Sequence, residues 1–252
     1  MQMETELNLV NEQSGYPKVS LVEPVLSAYI HIAAEVDKRL PFLWISQNKQ
    51  NLIDNCKQWC EELELDKKVL EAVVFKALLI PPGRGDFVNQ RKETVHIARF
   101  DFAVLIEVES LEAAERIRLH PVYQTMESAV RTAASYTHVI TATNVRRINA
   151  VDHQRNGVFL FNYFFADDTN QNLGIWEYTA GWFEQETGLD NSTVLLPVEN
   201  DKSKYNIINH CRSDKLRDIL PSLIFKRTFR TFVLDNFEAN NVAAMPILYR
   251  LA

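Results

Sequence analysis

From Arg99 to Glu109 the chain alternates. Phe100, Phe102, Val104, Ile106 and Val108 share one face, and Arg99, Asp101, Ala103, Leu105, Glu107 and Glu109 share the other. Period two predicts a strand with one strongly apolar face. The mixed opposite face suits water or a partly polar cavity. Ser110 stands where a helix N-cap belongs, and Glu112 and Glu115 fall in the first turns, where the positive end of a helix favours them. Leu111, Ala114, Ile117 and Leu119 keep roughly helical spacing. Pro121 then removes an amide donor and restricts His120, so the helix breaks and resumes over 122–134.

The surrounding chain completes a pattern. Residues 24–35 read two ways. As a strand, Tyr29, His31 and Ala33 oppose Ile30, Ile32 and Ala34; as a helix, Val25, Tyr29 and Ile32 line up. The strand suits the element order. Leu52, Ile53, Cys56, Trp59, Cys60 and Leu63 predict an amphipathic helix over 43–65. Strands follow at 70–80, 99–109 and 136–148, the last two flanking the broken helix 111–134. This is a βαββαβ order. A polar linker covers 149–156, and the order recurs. Strand 157–166 precedes helix 173–187, which Gly188 ends at a C-cap. Strands 192–198 and 205–212, helix 214–240 and strand 246–251 complete it. Pro121 and Pro221 both interrupt the second helix of their unit. The expected organisation is an arm at 1–23, a first unit at 24–148 and a second at 153–252.

Composition excludes several classes. Net charge is -6 and no Lys/Arg-rich run stands out, which argues against nucleic acid as a partner. Cys56, Cys60 and Cys211 make no disulfide framework and read as buried thiols. The N-terminus lacks the basic and apolar regions of a signal peptide, and no apolar run is long enough to span a bilayer. A cytoplasmic protein with no membrane partner is expected. Gly83-Arg84-Gly85-Asp86 reads as an ordinary turn, since it lacks the context of a P-loop. Nucleophile-elbow, zincin, Cys-x-x-Cys and dinucleotide fingerprints are absent, and glycines number only 7, so nucleotide cofactors are not expected.

Phe100-Asp101-Phe102-Ala103-Val104, with His120-Pro121-Val122-Tyr123-Gln124, resembles the stress-responsive A/B-barrel family. It also resembles the antibiotic-biosynthesis monooxygenase-like proteins. Both belong to the dimeric α/β-barrel group of ferredoxin-like folds. A four-stranded sheet with both helices on one face must have its open face covered. The resemblance implies an α+β chain whose tandem ferredoxin-like βαββαβ units pair their antiparallel sheets within one chain. It places the site in the cavity between the sheets. It implies a monooxygenase-like enzyme acting on a small aromatic or polyketide-like compound, without metal or flavin.

Some members use an Asn on the first strand, with a Trp and a His elsewhere. Asn162 matches the Asn by element and would polarise an oxygen. His210 would move a proton and Trp176 would wall the pocket. Tyr163, His31 and Asp101 complete the expected ligand lining. The second helix of unit two has no His between Asp214 and Met245, which disfavours haem. A metal held by His31, His138 and Asp101 would draw ligands from separate elements with no motif spacing.

The plainer reading of each residue is structural. Asn162 is then a hydrogen-bonded barrel lining, Trp176 and Trp182 are core, His210 is a strand-end histidine, and His120 marks a helix break. Two other functions suit the same fold: a non-catalytic ligand-binding or stress-associated protein, or an assembly protein using exposed sheet edges. A homodimer is compatible with either.

Overall fold

The computed structural model describes residues 6–11, 15–42, 44–81, 86–91 and 93–252. The first unit runs β1 (Ala28–Glu35), α1 (Gln47–Leu63), β2 (Val69–Leu79), α2 (Asp86–Arg91), β3 (Phe102–Val108), α3 (Leu111–Arg118), α4 (Pro121–Ala133) and β4 (Tyr136–Arg147). The second runs β5 (Val158–Ala166), α5 (Thr169–Thr187), β6 (Thr193–Pro197), β7 (Ile207–Ser213) and α6 (Leu216–Phe225). A wide π-helical turn (Phe229–Leu234), α7 (Asp235–Ala239) and β8 (Val242–Leu251) follow.

The strands close into one antiparallel barrel, ordered β1-β3-β2-β8-β5-β7-β6-β4. Each unit contributes the same fourth-first-third-second run. The joints are β2 with β8, where Phe75 faces Leu251, and β4 with β6, where Thr143 faces Leu196. Closure pairs every strand on both sides. The exposed sheet edges that an assembly role would use are therefore missing among the described residues, because a closed barrel has no edge.

Alternation along each strand separates two environments. Phe102, Val104, Ile106 and Val108 of β3 pack outward with Leu52, Ile53 and Cys56 of α1, Ile117 of α3 and Met126 of α4. Burial of each such side chain stabilises the fold by about 1.5–3 kcal/mol. Ala103 and Leu105 point into the barrel. The mixed face of the sequence pattern is thus the barrel lining. Ahead of β3 the expected alternation fails: Phe100, expected on the face of Phe102, packs inward against Tyr163 and Tyr205, and Asp101 turns outward to Lys49 of α1.

The helix ends follow local chemistry. Ser46, Ser110 and Asp168 accept from the amides of Lys49, Ala113 and Gln171 and start α1, α3 and α5. Helix α1 therefore begins at Gln47, later than the apolar spacing suggests. Pro121 occupies the first turn of α4, and His120 Nδ1 accepts from Val122 N at 3.3 Å, so the His-Pro break is a cap. Gly188 closes α5 at φ 70°. Pro221 behaves differently from Pro121. It sits inside α6, on an exposed face where water can satisfy the freed Arg217 carbonyl, and the chain leaves the helix only at Lys226. The shared proline break holds for the first unit alone. Helix α2 was not legible in the sequence, and the Gly83–Gly85 part of the turn before it lies outside the described residues.

The arm crosses α5. Val19 is buried and Tyr16 Oη donates to Glu186 at 2.8 Å. Gly181 permits this approach, since a Cβ there would run into the Pro17 carbonyl oxygen. Gly181→Ala is expected to lift the arm and cost about 1–3 kcal/mol. Limited proteolysis should then cut between residues 15 and 22. An unchanged digestion pattern would show that the arm is not held this way. Among the described residues no helix is long and apolar enough to cross a membrane.

Candidate functional site

The barrel interior is lined by alternate residues of nearly every strand. Phe75 of β2 is central. Its ring centroid lies 5.3 Å from Phe159, 5.2 Å from Phe161, 6.3 Å from Tyr249 and 5.7 Å from His210. Phe161 lies between two imidazoles, 5.0 Å from His31 and 3.9 Å from His210. Contacting rings thus fill the space between the two units.

Three histidines carried by the strands face this interior. The Val104 carbonyl, 3.1 Å from His31 Nδ1, can only accept, so that nitrogen carries the proton. His31 Nε2 then accepts from the Tyr163 hydroxyl at 3.0 Å. Burial, with His138 nearby, pushes the His31 pKa down to about 3. His138 Nε2 meets Ser203 Oγ at 3.0 Å, and burial lowers its pKa to about 4.

His210 belongs to a line of three groups. Its Nδ1 lies 3.2 Å from the Leu160 carbonyl and its Nε2 lies 2.7 Å from His153 Nε2. His153 Nδ1 lies 2.6 Å from Glu71 Oε2. The carbonyl places the His210 proton on Nδ1, so His210 Nε2 offers a lone pair. The bond between the two Nε2 atoms then needs a proton from the His153 side. A further proton lies between His153 Nδ1 and Glu71. Burial, then the charge of His153, keeps His210 well below its ordinary range, consistent with His210 as the acceptor. Exposure falls along the line, from 23% at the Glu71 side chain to 7% at His153, while His210 is only 1% exposed. The line runs from the rim inward.

The sequence candidates divide between two places. His31, Tyr163 and His210 line the interior. Asn162 does not join them: it alternates with Phe161 and Tyr163 and so faces outward, under α5. There it shares a cavity of about 30 Å³ with Trp176, Thr179, Ser192 and Asn209. That is room for a water or two. Asn162 Oδ1 has no partner there. The expected common cavity for Asn162 and His210 is therefore not formed, because β-strand alternation sends them to opposite faces. Trp176 walls the outer cavity and not the interior.

Asp101 is taken up elsewhere. It accepts from Val36 N at 2.6 Å, Asp37 N at 3.0 Å and Lys49 Nζ at 2.7 Å. His31, His138 and Asp101 thus form no ligand set, and among the described residues no three or more His, Cys, Asp or Glu side chains converge to hold a metal. A wider hollow of about 560 Å³ beside α3 and α4 is lined by Arg118 and Arg131, which are paired with Asp201 and Glu127.

Sequence reasoning missed Glu71, His153 and Phe75. Glu71 and Phe75 share the inward parity of β2, a signal that was available. His153 lies in the polar linker, which has no periodicity to report its direction.

No protein-family model and no curated protein matches the chain. Solved structures do. An anthrone oxidase-like protein superposes with a TM-score of 0.63 at 8% identity, covering 90% of this chain and 91% of that one. A putative monooxygenase from Fusobacterium nucleatum gives 0.55 at 8% identity over 90% and 93%. A dimeric ferredoxin-like protein of unknown function from Bacteroides fragilis gives 0.33 at 11% identity, with 48% of this chain covering 99% of that one. At such identities the likeness concerns the fold. This chain is a tandem ferredoxin-like α/β-barrel with the fold of the monooxygenase-like proteins.

Proposed function

We propose that this protein is a monooxygenase-like enzyme that takes a planar, weakly acidic aromatic compound into the barrel and works without metal, flavin or haem. The observation that carries this reading is the Glu71–His153–His210 line. A hydrogen-bonded run of acid–base groups from the rim to an aromatic interior, ending on a His210 whose proton affinity burial lowers, is costly to a fold, and such groups recur at functional sites. His210 Nε2 would accept the substrate hydroxyl proton. The aromatic wall would hold the resulting electron-rich anion flat, ready to give electrons to dissolved dioxygen as co-substrate. The reading leaves haem aside because α6, the π-helical turn and α7 supply no histidine to hold it.

Oxygen uptake with anthrone, the compound class in one neighbour's name, and with dihydroxybenzenes tests the reading. His210→Phe is expected to lower kcat/KM by roughly a hundredfold or more, the usual contribution of a positioned acid or base. Asn162→Ala, facing α5, should change it less than about threefold, because its side chain lines the outer cavity and does not reach the interior. Equal losses from both variants would sink the assignment. The filled interior favours a second reading, a non-catalytic binder or stress-associated protein for the same class of compound. Saturable binding with no oxygen uptake would select it.

A further inference from the structure

We infer that the inter-unit coil 149–157 is a displaceable plug, and that its His153 imidazole stands where the ring of a planar ligand with two edge donors binds. The inference rests on the reading of the barrel as a ligand chamber.

The coil joins β4 to β5 and lies outside helix and strand. A connection between units needs no side chain in the core, yet this one inserts a ring. The His153 ring stacks on His210 at 5.1 Å and 16°, and on Phe159 at 5.5 Å and 28°. Phe75 meets it edge-on at 5.7 Å. Both its nitrogens are engaged, one with Glu71 and one with His210. This is the environment of a bound heteroaromatic ring: flat walls, and polar partners on the edge.

The partners define the chemistry. With His153 withdrawn, His210 Nε2 presents a lone pair and Glu71 presents a carboxylate. Both are acceptors, so the ring that replaces His153 brings two donors. A ring of the same shape without donors leaves both groups unpaired and is rejected.

The ties on the coil are mixed: Arg212, itself only 7% exposed, and Val151, packed against the inward rings, hold it from within, and the others lie at the surface. Arg212 Nη2 donates to the Asn156 carbonyl at 2.6 Å, and Gln154 Nε2 donates to Glu71 Oε1 at 3.1 Å. Arg155 pairs with Asp214 at 3.3 Å, both exposed. Contacts of this kind open without unravelling the barrel, since β5 and β4 keep their own ladders.

Hydrogen exchange on the wild-type protein tests the plug, with 1,3-dihydroxybenzene as probe and 1,3-dimethoxybenzene as the ring without donors. The dihydroxy probe is expected to raise amide exchange in 149–157 at least threefold while β5 stays protected; the dimethoxy compound should do nothing. Unchanged exchange, or an equal response to both compounds, overturns the inference. His153→Gly adds a second arm: imidazole should raise its Tm saturably, by about 5 °C at a hundredfold excess over Kd. The rise should vanish in His153→Gly/Glu71→Leu. If His153→Gly does not fold, the wild-type exchange decides alone. A coil response without oxygen uptake overturns the enzyme reading and leaves the plug standing. Oxygen uptake with a silent coil overturns the plug alone.

Discussion

Below pH 6.5 the folded protein is expected to lose about 4 kcal/mol of stability per pH unit. The cause is three imidazoles inside the barrel. Burial pushes His31 to about 3 and His138 to about 4, and holds His210 well below the ordinary range. In the unfolded chain each would take a proton near pH 6.5. Across the window from 6.5 to about 4 the unfolded state therefore binds more protons than the folded one. The stability is present above 6.5 and is lost as pH falls. Each imidazole contributes a slope of about 1.4 kcal/mol per pH unit, and three give about 4. About 6 kcal/mol is then lost by pH 5 and about 10 by pH 4, so against a total of about 5–15 kcal/mol acid unfolding should be centred between about pH 5 and 4. Urea midpoints at pH 7, 6 and 5 check this, in a range where most carboxylates remain ionised. A slope near zero would mean that the three rings are hydrated in the folded state.

The second large effect lies at the opening of β3. Asp101→Ala is expected to destabilise by about 3–5 kcal/mol, or roughly 10 °C in Tm. The Lys49 and Asp101 side chains are 2% and 1% exposed and meet at 2.7 Å. Removing the carboxylate leaves a buried ammonium with no counter-charge. It also strips an acceptor from the amides of Val36 and Asp37, just past β1. One side chain thus ties together β1, α1 and β3. Pairing Asp101→Asn with Lys49→Met should cost less than the two single losses combined, because no unpaired charge then remains. Thermal unfolding of the four proteins measures the coupling. Additive losses would show that the pair is solvated.

Much of this architecture was legible because the physics is local. Period-two alternation in Phe102–Val108 and 3–4 spacing in Leu52–Leu63 report a face directly. Ser110 and Gly188 announce helix ends through backbone chemistry that needs no partner. The same locality explains the errors. Pro221 stays inside α6 because its exposed neighbours tolerate a missing bond, whereas His120 and Pro121 together build a cap. Asn162 was matched to a role by its element, but its parity with Phe161 and Tyr163 already separated it from the inward rings.

The sequence by itself determined most of the element order, apart from α2 and the choice of strand or helix at 24–35, together with the repeat of that order and the two faces of β3. Only the tertiary structure decided which histidines meet. His153 reaches His210 across 57 residues and Glu71 across 82. Their meeting depends on barrel closure and on the path of a coil with no periodic pattern. Hydrogen-bond partners at such separations are set by the packing of whole units, so they are absent from any local signal that residues 149–157 could carry.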